Sequence, residues 1–138
     1  MEMNLGSVNW LAILLCVVVG QVFLTVWFAA IFAEPWAKAY GAVDKKQHTA
    51  EIPAYTYAIG AVCVALLSVG LAILQAGLGV HGVAGGALVG VFVALSFCIP
   101  TALPGYAFLK RWSAFFLAIG SQSLLIVILS IILAAWPA

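Results

Sequence analysis

Apolar residues fill this chain in four long blocks, and polar residues gather in the gaps between them. The blocks run from Val8 to Ala33, Pro53 to Ala76, Gly82 to Leu109 and Trp112 to Trp136. A bilayer's hydrocarbon core is about 30 Å thick and a helix rises about 1.5 Å per residue, so about 20 apolar residues cross it. Each block is long enough. None alternates apolar and polar positions in the manner of a barrel strand, and in lipid only helices and closed barrels satisfy their own backbone groups. The pattern predicts an all-α membrane protein, a bundle of four transmembrane helices forming a single membrane domain over residues 1–138.

Composition excludes a soluble alternative. Hydrophobic residues make up 67% of the chain and charged residues 7%, against about 45–50% and about 25% in an average soluble domain. The few charges also decide orientation. Lys38, Lys45, Lys46, Lys110 and Arg111 all fall in the first or third gap, while the second gap and both tails carry no Lys or Arg. By the positive-inside rule those two gaps are cytoplasmic, which puts the N-terminus, the Gly77–His81 turn and the C-terminus outside. Trp10, Trp36, Trp112 and Trp136 stand near the predicted span ends, where amphipathic rings favour the interface. The first block lacks the basic n-region of a secretory signal and exceeds the usual h-region length, so it is read as a retained span. The expectation is a multi-pass protein of the cell inner membrane, surrounded by membrane lipids.

Little conventional chemistry is legible. A net charge of +1 is explained by topology and points to no nucleic acid partner. Cys16, Cys63 and Cys98 lie inside the apolar blocks and form no CxxC or Cys/His group, so neither disulfide nor metal site is expected. No Walker loop, GxSxG elbow or HExxH occurs, and the reading is of a protein that is not an enzyme and needs no cofactor.

Several local motifs do occur together. They are the opening Val8-Asn9-Trp10-Leu11-Ala12-Ile13, the Trp27-Phe28 pair, Trp36 with Lys38, and Gly41. Ala54-Tyr55-Thr56-Tyr57, the Gly-rich Gly82–Gly90 stretch and Gln122 follow. In these the chain resembles, over nearly its whole length, the family catalogued as domain of unknown function 1761. The resemblance implies a compact bacterial membrane protein of several spans and implies no activity.

Small and polar residues within the blocks suggest contacts and a site. Gly82, Gly86, Gly90 and Ala94 recur every four residues and open one face of the third helix to close approach. That face suits either a homo-oligomer interface or a contact inside the bundle. Ser113, Gly120, Ser123 and Ser130 form a second small stripe on the fourth helix. Pro100 and Pro104 each remove a backbone donor, which frees carbonyls at Ser96 and Pro100 within the membrane unless Thr101 compensates locally. Gln21 and Gln122 fall near mid-span on antiparallel helices and hence at similar depth, with Thr25 one turn from Gln21. They form either a structural hydrogen bond or a ligand site. Gln75 and His81 are read as solvated groups near the outer surface. Glu34 borders the first span; Pro35 suggests that the helix ends there and that Trp36 and Lys38 begin an interfacial helix reaching about Gly41. Anchoring is the plain role for Glu34 and ion coupling the sharper one.

These features favour a small transporter or channel with a polar midplane site at Gln21, Thr25 and Gln122, with Ser96, Pro100 and Glu34 as further candidates. The alternative is a non-catalytic accessory or assembly protein using the glycine face. Four spans in a chain this short are similar to the small multidrug transporters, but those depend on a carboxylate within the first helix. Glu34 stands at that helix's far end, which argues against proton-coupled drug export.

Overall fold

The computed structural model describes residues 4–137. Asn9 caps the first long helix, its side chain accepting from the N–H groups of Leu11 and Ala12 at 3.1 and 3.2 Å. That cap sets the start of α1 (Trp10–Ile31) at Trp10. The last turn, Trp27–Ile31, widens to the π form, with Phe32 N–H donating to the Trp27 carbonyl five residues back at 2.9 Å. Phe32 leaves helical geometry (φ −114°, ψ 26°), and α2 (Ala33–Ala39) then begins. Pro35 is accommodated in the first turn of α2, where a missing donor costs little.

The polar gap that follows holds one more short helix, α3 (Lys45–Glu51). Asp44 caps it by accepting from Gln47 N–H at 2.8 Å, and the Gln47 carboxamide oxygen accepts from Val43 N–H at 2.9 Å. This is close to the reciprocal bonding of a capping box.

Three further long helices follow among the described residues: α4 (Tyr55–Leu78), α5 (Gly82–Phe108) and α6 (Trp112–Ala135). With α1 they make four helices long and apolar enough to cross a membrane. Gly79, at φ +65°, ends α4: its own N–H bonds Ala76 O, and Val80 N–H bonds Gln75 O at 3.0 Å. Lys110, at φ +54°, ends α5 in the same way, with Arg111 N–H on Tyr106 O at 3.1 Å. A left-handed residue at such a helix end satisfies carbonyls that would otherwise have no partner. The ends of α1 and α5 and the starts of α4 and α6 thus share one end of the bundle, the basic end.

α6 is the central helix and packs against α1, α4 and α5. Cys16, Val64, Leu71, Leu125, Ile126 and Leu129 meet as the buried core. Outward, Leu11, Leu14, Val18 and Val22 of α1 and Leu88, Phe92 and Leu95 of α5 are exposed. Such an apolar exterior suits a bundle solvated by lipid, in which hydrophobicity does not separate inside from outside and helices associate through close backbone approach.

The closest approach is between α5 and α6. A Cβ on Gly86 would stand 2.7 Å from Ser130 O and 2.8 Å from Ile131 Cα, and one on Gly90 would stand 2.7 Å from Val127 Cα. The glycine face is therefore occupied inside the chain at Gly86 and Gly90, which leaves them no room to join subunits. Gly82 takes no part. It turns the chain at φ +81° with nothing near its Cβ position.

Gln75 also departs from its expected solvated place. It is 4% exposed, and its amide N–H groups donate to Ser130 O and Ser130 Oγ, each at 2.8 Å. Ser130 Oγ in turn donates to Gly86 O at 2.7 Å. The residue is near the end of α4 by count, but α5 and α6 extend far enough to cover it.

Candidate functional site

Gln21 lies at the middle of α1, and its side chain crosses to α4, where Nε2 donates to Tyr57 O at 2.9 Å. The crossing needs Gly60. A Cβ there would stand 3.2 Å from Gln21 Oε1, so any larger residue would crowd the amide. Beside this contact, α1, α4, α6 and the loop helices enclose a cavity of about 290 Å³.

Its mid-span end is lined by Gln21, Thr25 and Gln122, and the end toward the loop helices by Trp36, His48, Thr49, Ile52 and Thr56. Leu24, Phe28 and Ala29 form the apolar wall between. From Gln21 to the end of α1 is ten residues, or about 15 Å along the helix. The cavity therefore runs from mid-span to the basic end. Thr25, Ala29, Thr56 and Tyr57 are exposed, which places its mouth on the flank of the bundle between α1 and α4.

The two mid-span amides do not bond each other. Gln21 uses one N–H on a backbone carbonyl. Gln122 is exposed to the cavity and makes no side-chain hydrogen bond among the described residues. An amide without partners costs several kcal/mol in an apolar medium, so Gln122 favours a wet or ligand-filled cavity over a lipid-filled one. No Asp, Glu, Lys or Arg lines it, and His48 is its single imidazole. Among the described residues no group of three or more His, Cys, Asp or Glu side chains could hold a metal.

The wall facing the basic end is held by rings. Phe28 stacks on Trp36 and Trp36 on Tyr40, each at 4.4 Å between centroids, and Tyr40 lies 6.2 Å from His48. These contacts tie α2 and α3 to the π turn of α1. The turn itself is fastened to α6 by Trp27 Nε1, which donates to Leu117 O at 3.1 Å. Burial raises the pKa of the Tyr40 phenol above its ordinary value, and Tyr106 beside it adds to the rise while Arg111 opposes it.

The remaining candidates lie elsewhere. Glu34 does not line the cavity; its Oε1 accepts from Lys45 N–H at 3.3 Å and so links α2 to the first turn of α3. Ser96 and Pro100 are on α5, away from the cavity. The π turn Ala94–Cys98 precedes Pro100, with Ile99 N–H bonding back to Ala94 O. Thr101 Oγ1 donates to the carbonyls of Phe97 and Cys98 and not to those of Ser96 and Pro100, so it is not the compensation expected for the carbonyls that the prolines free. Ala94 lines a shallow groove between α5 and α6 with Gly120 and Ser123. The loop helix α3, which supplies His48 and Thr49, had no expectation attached to it. Its signal was Asp44 followed three residues later by Gln47.

Four apolar helices around a polar-ended cavity define a multi-pass membrane protein. The chain belongs to the family described as "Protein of unknown function (DUF1761)", whose family model matches residues 11–134. No curated protein matches the chain, and no solved structure does.

Proposed function

We propose that this protein is a small carrier that binds a molecule between α1, α4 and α6 and exchanges it between the membrane interior and the basic end. The observation that carries this reading is the convergence of Gln21 and Gln122 on one cavity, with Gln122 unpartnered. Gln21 bonds the backbone as a structural amide would, so the weight falls on Gln122, because an intramembrane polar group is costly without a partner. Lys45, Lys46, Lys110 and Arg111 at one end put that end in the cytoplasm of an inner-membrane protein by the positive-inside rule, with both termini outside. The cavity then opens toward the cytoplasmic leaflet. Lacking a paired acid and base or an activated nucleophile in its walls, it suits binding and passage better than catalysis. The accessory reading loses its best support, because Gly86 and Gly90 are filled by α6.

The test is a thermal-shift screen of small solutes on the purified protein and on Gln122→Leu, followed by flux of any hit in proteoliposomes. A ligand present at about a hundred times its Kd adds about 2.7 kcal/mol to stability. The expected outcome is a hit whose shift disappears in Gln122→Leu and that crosses proteoliposome membranes only when wild-type protein is present. A hit unaffected by Gln122→Leu, or one that is bound and not moved, refutes the carrier.

A further inference from the structure

We infer that the molecule held in this cavity is an uncharged amphiphile of about ten heavy atoms, with one hydroxyl or carbonyl end at Gln21 and Gln122 and an apolar body against Leu24 and Phe28. The inference rests on reading the cavity as a binding site. Size comes first. At about 30 Å³ for each water-sized group, 290 Å³ holds about ten such groups. That admits a medium-chain alcohol or ketone and excludes a whole phospholipid.

Charge comes next. The lining carries no Asp, Glu, Lys or Arg, and a charge brought to mid-membrane without a counter-charge is expensive. A cation or anion would therefore be held worse than a neutral molecule of the same length. Polarity follows from the number of available partners. Gln21 has one N–H committed to Tyr57 O, which leaves its carbonyl oxygen to accept, while both N–H groups of Gln122 are available to donate. A hydroxyl can donate to the first and accept from the second at once, and a carbonyl can accept from the second. A sugar or polyol would present more hydroxyls than the mid-span end can satisfy, since only Thr25 adds to the two amides there. A plain hydrocarbon would leave Gln122 unpaired.

The experiment uses the full chain in lipid nanodiscs and a decanol derivative carrying a photoreactive diazirine. Labelled peptides are mapped by mass spectrometry, with competition by decanol, decane, decanoate and decyltrimethylammonium at matched membrane mole fractions. Label is expected on residues 24–33 and 52–60. Decanol is expected to compete about tenfold better than decane or either ion, a ratio that one or two hydrogen bonds supply. Gln122→Leu should erase the preference over decane and keep that over the ions while the wild-type melting temperature is retained, and mapping on the wild type needs no variant at all. Equal competition by the ions or by decane overturns the ligand class and leaves the cavity as a site. Absence of label from both segments overturns the ligand class and the proposed function together.

Discussion

Gly86→Ala tests the close helix contact on which the bundle is built. The added methyl would meet Ser130 O at 2.7 Å, Ile131 Cα at 2.8 Å and Ala134 Cβ at 2.9 Å. Two of those three atoms are backbone and the third is a Cβ bonded directly to it, so none can swing aside and α5 and α6 must separate. Overpacking of this kind costs about 1–3 kcal/mol. Separation also stretches the Ser130 Oγ to Gly86 O bond of 2.7 Å, worth about 0.5–1.5 kcal/mol. Against this, alanine is favoured over glycine inside a helix by about 1 kcal/mol. The balance is a net loss of about 0.5–3.5 kcal/mol. Gly70→Ala is the matched control, because nothing lies within 4 Å of its Cβ position and only the propensity gain of up to about 1 kcal/mol remains. Unfolding measured in mixed micelles should show the two variants moving in opposite directions from wild type. If Gly86→Ala is as stable as Gly70→Ala, the helix contact has been misread.

Three other expectations follow from the same geometry. Gln75→Leu and Ser130→Ala should each destabilise the bundle, and a double-mutant cycle should return a coupling of about 0.6–1.7 kcal/mol; additive losses would show that the 2.8 Å bond from Gln75 to Ser130 Oγ contributes nothing. In a background without Cys16, Cys63 and Cys98, an impermeant thiol reagent added from outside should label Gly79→Cys and not Gln47→Cys, and the reverse pattern would invert the orientation. Because burial holds the Tyr40 phenol protonated past its ordinary pKa, the unfolded chain loses that proton first, so stability should fall as pH rises through the usual tyrosine range. Tyr40→Phe should abolish that fall and remove one late step from the ultraviolet phenolate titration, and an unchanged titration would contradict the cause given.

Much of the architecture was readable without coordinates because a bilayer imposes a length and a composition on every span. The four apolar runs and the basic ends needed only counting. Counting also set Gln21 and Gln122 at one depth, and the four-residue spacing identified Gly86 and Gly90 as sites of close approach. Partners were another matter. Both faces of each helix are apolar, so hydrophobic periodicity, which orients helices in water, could not say which side of α5 faces α6 or lipid. Only the packed structure filled Gly86 and Gly90 with α6, left Gly82 as a turn and moved Ala94 to a groove. It drew Gln75 into the interior, because burial near a helix end depends on how far the neighbouring helices extend. It also gave Gln21 a backbone partner across Gly60 and left Gln122 without one, since side-chain pairing is decided by helix rotation and not by depth. The cavity's wall toward the basic end comes from the way α2 and α3 fold back against the end of α1. That return depends on the ring contact from Phe28 to Trp36, which no linear spacing encodes, although Trp36 and Tyr40 stand one helical turn apart.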